Sequence, residues 1–138
     1  MTKKKILIVD DEKAIRRTLK EILEYEKYDI DEAEDGEIGL EKIEKKNYDV
    51  VVLDIEMPGI DGIETLKRIK EINSKIQVVL FTGHGSEETR RMGEVLGAFS
   101  YVDKIDGLPK LAPMIEGAFR LRKVLEDTYA DAAMNEYN

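Results

Sequence analysis

The chain has no cysteine among its 138 residues. Disulfides and thiolate metal sites are therefore excluded, and nothing points to an oxidising compartment. Long apolar runs are missing as well, so no segment is suited to crossing a membrane. The opening MTKKKILIVDD has the basic start of a signal peptide, but its apolar run, Ile6 to Val9, is too short and runs into two aspartates. An excess of positive charge is also lacking. A net charge of -8 argues against binding nucleic acid through phosphate contacts. Gly83 and Gly85 are too sparse to cradle a phosphate. There is no internal repeat, low-complexity tract or dividing linker. The expectation is one cytoplasmic domain with one core, which 42% apolar content is enough to build.

What is present alternates. Short apolar runs, 5–9, 50–53, 76–81 and 99–102, read as strands, with a weaker edge-strand pattern at 28–33. Between them lie segments with helical apolar spacing at 12–27, 36–46, 62–72 and 86–96, and one long helix begins near Leu108 with prolines close to its start. Runs buried on both faces that alternate with helices imply a parallel sheet covered by helices. The predicted fold is α/β: a flavodoxin-like, doubly wound, five-stranded parallel sheet of order 2-1-3-4-5 with five helices.

In such a sheet ligands bind beyond the carboxyl ends of the strands, where strand order reverses. The first and third strands are neighbours there. Asp10 and Asp11 follow the first, Asp54 ends the third, Thr82 ends the fourth and Lys104 ends the fifth. Three carboxylates, a hydroxyl and an amine would thus share one rim. Close carboxylates repel unless a cation intervenes, and an all-oxygen donor set suits Mg²⁺. An aspartate beside Mg²⁺ and a lysine can attack phosphorus and become an aspartyl phosphate. Taken singly, each residue has a plainer reading. Asp10-Asp11 can cap a helix. Thr82 can be structural, Lys104 a solvated surface lysine, and Tyr101 part of the core.

With ILIVDD, VVLDIEMPGIDG, FTGHGS and LGAFSYVDK in order and spacing, the sequence resembles the receiver domain of response regulators, the phospho-accepting module of two-component signalling. The likeness covers about Lys4 to Phe119. It implies that Asp54 is phosphorylated, and that Asp10 and Asp11 are the acidic pair, with Asp11 the more direct Mg²⁺ ligand. It implies that Asp54 and the backbone carbonyl of Glu56 also meet the metal. Thr82 and Lys104 match the switch hydroxyl and the phosphate-binding lysine, and Tyr101 the aromatic switch. The implied donor is a sensor histidine kinase or a histidine phosphotransfer protein. The implied output is a downstream protein docking on the face of the fourth helix, fifth strand and fifth helix, without direct contact to nucleic acid or membrane. Such a domain is a phospho-acceptor, not an enzyme that turns over a separate substrate.

One departure stands out. Ile105 follows Lys104 where the family has a cis-bonded proline, so the placement of the lysine loop is open. His84, the only histidine, lies two residues past Thr82. It is either a tuner of phosphoryl lifetime, as the Glu56 side chain can also be, or an exposed loop residue without a role. The expected domain is 1–120. Residues 121–138 continue the helical stripe as a frayed extension, a dimer or partner helix, or the start of a connector. Competing readings are a receiver cut from a hybrid kinase or transcription regulator, a receiver fold that only binds protein, and an aspartyl-nucleophile hydrolase. A binding-only receiver should lack Asp54, Asp11 or Lys104, and a hydrolase needs a cap; neither condition is met.

Overall fold

The computed structural model describes residues 3–57, 61–83, 86–105 and 107–136, with side chains described through Thr128. The elements are β1 (Lys5–Val9), α1 (Lys13–Glu24), β2 (Asp29–Ala33), α2 (Gly36–Lys45), β3 (Val50–Leu53), α3 (Gly62–Ile72), β4 (Gln77–Thr82), α4 (Glu87–Val95), β5 (Ser100–Asp103) and α5 (Leu108–Glu136). The strands form one parallel sheet in the order β2-β1-β3-β4-β5.

Alternation along the strands splits the core in two, because successive side chains point to opposite faces. Leu7, Val9, Val51, Leu53, Val78 and Leu80 pack against Leu40 and Ile43 of α2 and Leu66 and Ile69 of α3. Ile6, Ile8, Val50, Val52, Val79, Phe81 and Val102 pack against Leu19 and Leu23 of α1 and Leu111, Ile115, Ala118 and Phe119 of α5. Burying both faces is why β3 is an unbroken VVVL. Three helices start on side-chain caps: Asp35 accepts from Ile38 N, Asp61 from Glu64 N and Ser86 from Thr89 N.

Element ends differ from the sequence expectation by a few residues. The first helix was expected to reach Lys27 but ends at Glu24, and Lys27 turns the chain with φ 61°. The fourth strand begins one residue later than expected and takes in Thr82; the fifth takes in Asp103 and leaves Phe99 outside. α5 tolerates both prolines because they sit near its start: Pro109 has no intrahelical donor to lose, and Pro113 costs one early bond. The helix runs on without a break past 120, and Arg122, 3% exposed, lies 3.6 Å from Asp49 and 3.1 Å from Glu126.

The edge strand β2 carries an ionic seam. Asp31 accepts from Lys46 Nζ at 2.8 Å and from Tyr48 Oη at 2.5 Å. Burial works against its charge, but these bonds outweigh it and hold the carboxyl below its ordinary range. A lowered folded pKa gives stability that is present above the unfolded value and lost as pH falls through the folded one. Asp31→Asn is therefore expected to cost about 1 kcal/mol near neutral pH and about nothing in acid below the lowered folded value. Urea unfolding at both pH values checks this. An equal loss at both would mean that packing, not charge, is what the substitution removed.

Candidate functional site

The head of the sheet is built by strand pairing. Val9 and Leu53 are register partners, so the residues just beyond them, Asp10 and Asp54, stand side by side. The Asp54 amide donates to the Val9 carbonyl at 3.0 Å, and the Asp10 amide to Ala33 at 3.1 Å. Both side chains are buried, at 2% and 3% exposure. Two buried carboxylates at one spot demand a cation.

Lys104 supplies it. Its amide donates to the Thr82 carbonyl at 3.1 Å, fixing its backbone to the end of β4. Its Nζ reaches back across the sheet to 2.8 Å from Asp10 Oδ2 and 3.0 Å from Asp54 Oδ2. The remaining oxygens are also taken: Asp10 Oδ1 accepts from Glu12 N at 2.8 Å and Asp54 Oδ1 from Glu56 N at 3.0 Å. Burial pushes the Asp10 carboxyl up, and the bonds from Lys104 and the Glu12 amide pull against that. For Lys104 burial would lower the pKa, but the bonds to Asp10 and Asp54 outweigh it and hold the amine firmly cationic. Arg16 steadies the same corner, donating from Nη1 to the Asp10 carbonyl at 2.6 Å and from Nε to Glu32 at 3.1 Å.

Asp10, Asp11, Glu12 and Asp54 each bring a carboxylate oxygen within 4.8 Å of the others, the first and last buried and the middle two exposed. An all-oxygen, strongly anionic donor set with two solvent-facing members fits Mg²⁺, which keeps several waters. Glu12 is an addition to the sequence reading, which treated it only as the start of a helix. It stands at the N-terminal boundary of α1 yet makes no capping bond; its Oε1 lies 3.3 Å from Lys104 Nζ instead. The signal was present in the run Asp10-Asp11-Glu12, but only the fold shows where the third acid points.

Thr82 is 1% exposed, and its Oγ1 finds no hydrogen-bond partner among the described residues. A buried hydroxyl without a partner is costly and rare. Tyr101, on β5, is half-buried against the α2–α3 side of the core, with the Arg90 guanidinium 5.6 Å from its ring centroid. The Glu56 side chain is exposed, and its amide donates to Asp54 Oδ1. No cis peptide occurs among the described residues, so the Lys104–Ile105 bond is trans and the lysine still reaches both aspartates. Ile105 itself is 80% exposed. His84 lies outside the described residues.

A profile of the response regulator receiver domain matches residues 6–116. The chain belongs to that family. This receiver is 44% identical over 100 residues to the transcriptional regulatory protein ResD of Bacillus subtilis, covering 72% of this chain and 41% of that one. It is 37% identical over 121 residues to sporulation initiation phosphotransferase F of the same organism, covering 83% of this chain and 98% of that one. Among solved structures, the response regulator TrrA of Thermotoga maritima in complex with Mg²⁺-BeF is 39% identical with a TM-score of 0.76, covering 83% of this chain and 98% of TrrA. A CheY-like receiver from Methanospirillum hungatei JF-1 is 30% identical with a TM-score of 0.85, covering 88% of this chain and 98% of that one. The receiver spans between 41% and 62% of the length of three transcriptional regulators that it matches. It is a signal-transduction module of the two-component type. Among the described residues no helix is long and apolar enough to cross a membrane.

Proposed function

We propose that the receiver takes a phosphoryl group onto Asp54 from the phosphohistidine of a sensor histidine kinase or a histidine phosphotransfer protein. One observation carries the reading: Lys104 bridges two buried aspartates at the switch point of the sheet, while beside it the buried Thr82 hydroxyl has no partner among the described residues. Asp54 is the nucleophile. The Glu56 amide fixes its Oδ1 and thereby aims the carboxyl group. An Asp54 oxygen forms the new bond to phosphorus as the phosphorus–nitrogen bond breaks and the imidazole leaves. Lys104 then pairs with a phosphoryl oxygen in place of the ionised Asp54 oxygen, and Thr82 Oγ1 gains an acceptor.

Asp10, Asp11 and Asp54, with the Glu56 carbonyl, are the residues that would hold Mg²⁺, and Glu12 extends the acidic rim. When bound, the dication supplies charge stabilisation for the transferring oxygens. The complex of TrrA with Mg²⁺-BeF supports this assignment. Drawing Thr82 toward the phosphoryl group changes the space that Tyr101 can fill, and so biases the α4–β5–α5 face toward a downstream protein. Glu56 is a tuner of phosphoryl lifetime, a role that the sequence position of His84, two residues past Thr82, also suits. The receiver is 1–120 and works in the cytoplasm. The stretch 121–138 is a connector or a dimer segment, a reading supported by the greater length of several relatives.

The test is the intact mass of the protein after incubation with acetyl phosphate, with and without Mg²⁺, for wild type and Asp54→Asn. The expected result is one added phosphoryl group, dependent on Mg²⁺ and absent from the variant. A wild type that gains no mass in any condition would leave a receiver fold that only binds protein. A phosphorylated Asp54→Asn would move the acceptor elsewhere.

A further inference from the structure

Lys104 opens the loop between β5 and α5, and Ile105 follows it where the resemblance implies a proline. Ile105 differs from proline in one decisive way: it has an N–H. That N–H donates to Asp103 Oδ1 at 2.7 Å. Two residues on, the Gly107 amide donates to the Asp103 carbonyl at 2.8 Å. The loop thus closes twice onto one residue, once through its side chain and once through its main chain. Asp103 is in turn anchored as the register partner of Thr82 at the end of β5.

Closure is tight on the far side. A Cβ at Gly107 would come within 2.4 Å of the Asp103 carbonyl oxygen and 2.5 Å of Val102 Cγ1, so only glycine lets the chain fold back this closely. The Gly107 carbonyl then accepts from Lys110 N at 2.8 Å, at the first turn of α5. Between these fixed points the lysine backbone is held by the hydrogen bond that its amide donates to the Thr82 carbonyl. The Ile105 side chain is 80% exposed and contributes little packing. Its backbone amide is what the loop uses.

We propose that Asp103 is a positioning residue for the phosphoryl-transfer site: by capping the Ile105 amide it holds the Lys104–Ile105 turn, and so sets where the Lys104 amine meets Asp10 and Asp54. It acts on the transfer through Lys104. In this chain a side-chain acceptor one residue before the lysine replaces the constraint that a proline one residue after it would give. The use of that amine in phosphoryl transfer rests on the function proposed above; its placement does not.

Two readouts separate these. The first needs no phosphorylation. In wild type and Asp103→Asn, which keeps an Oδ1 acceptor, the Ile105 amide should exchange slowly, and the Lys104 ammonium protons should be visible by low-temperature NMR because carboxylates hold them. In Asp103→Ala the amide should exchange at least tenfold faster and the ammonium signal should vanish. The second readout is the phosphorylation rate at saturating acetyl phosphate. Asp103→Ala should lower it about tenfold with little change in the half-saturating donor concentration, since misplacement of a catalytic group costs rate. Asp103→Asn should stay near wild type. Asp103→Ala combined with Lys104→Ala should be no slower than Lys104→Ala alone, because both act through one amine. An unchanged ammonium signal in Asp103→Ala, or penalties that multiply in the double variant, would overturn the proposal. A wild type that takes up no phosphoryl group would end the functional reading instead, and the NMR comparison would still decide the placement.

Discussion

Replacing Lys104 with methionine is expected to lower stability by about 3 kcal/mol in metal-free buffer. Methionine keeps most of the lysine stem, so lost packing is a small part of the effect. What goes is the charge that Asp10 and Asp54 share, at 2.8 Å and 3.0 Å from one ammonium whose side chain is 10% exposed. The two carboxylates, buried at 2% and 3% exposure, are left facing each other. Removing one partner of a buried ionic group strands the other, and that costs more than the intact pair was worth. The sign with pH follows. Without the amine, the burial that already raises the Asp10 carboxyl meets less opposition, and a raised carboxyl destabilises the fold at neutral pH and ceases to as pH falls through the folded value. The deficit of Lys104→Met should therefore be largest near neutral pH and shrink in acid. Mg²⁺ should restore more stability to the variant than it adds to wild type, because a dication among four acids replaces the missing amine. Phosphorylation by acetyl phosphate should fall about a hundredfold for want of the charge that meets the transferring oxygens. Denaturant melts with and without Mg²⁺ read the first effects and mass kinetics the last. A metal-free variant as stable as wild type would mean that the aspartates are not balanced by this lysine.

How much of this was legible depends on whether the information is local. β3 and α3 fall where the sequence places them, because an unbroken VVVL and an Asp61 cap before a periodic segment are local signals. The end of the first helix was misplaced because a left-handed turn at Lys27 is not encoded by a residue that favours one. Asp10, Asp54 and Lys104 could be assigned to one rim because strand order dictates it, although the lysine is 50 residues from Asp54. The distances could not, nor could the pairing of Lys104 with Glu12 across 92 residues. Glu12 was overlooked because an acid at the N-terminal boundary of a helix already has a sufficient explanation. The bond between Asp103 and the Ile105 amide was invisible for a different reason: the sequence shows which residue is missing after Lys104, not which backbone group its replacement offers.

A contact between two stretches of backbone leaves even less trace in sequence, and Gly62 is the case with the largest consequence. It is the first residue of α3, and its amide donates to the Ile55 carbonyl at 2.9 Å. A Cβ there would stand 2.3 Å from Ile55 Cα, 2.6 Å from the Asp54 carbonyl oxygen and 2.9 Å from the Ile55 carbonyl carbon. None of these atoms belongs to a side chain that can swing aside. Two effects oppose each other in Gly62→Ala. Alanine favours the helix by up to about 1 kcal/mol. The clash forces the start of α3 away from the chain that leaves β3, and overpacking of this kind costs about 3 kcal/mol. The clash wins, and the strain falls beside the acceptor, because Asp54 and Ile55 lead directly into the Glu56 amide that donates to the Asp54 carboxylate. The variant is therefore expected to melt at a clearly lower denaturant concentration and, where still folded, to phosphorylate at least tenfold more slowly. Gly83→Ala is the control, since among the described residues a Cβ at Gly83 would meet Lys104 side-chain carbons at 3.9 Å, an ordinary contact, while sitting next to Thr82. It should keep wild-type stability. If Gly62→Ala matched it in both melting and rate, α3 would be free to shift without disturbing Asp54, and the acceptor would be held by strand pairing alone.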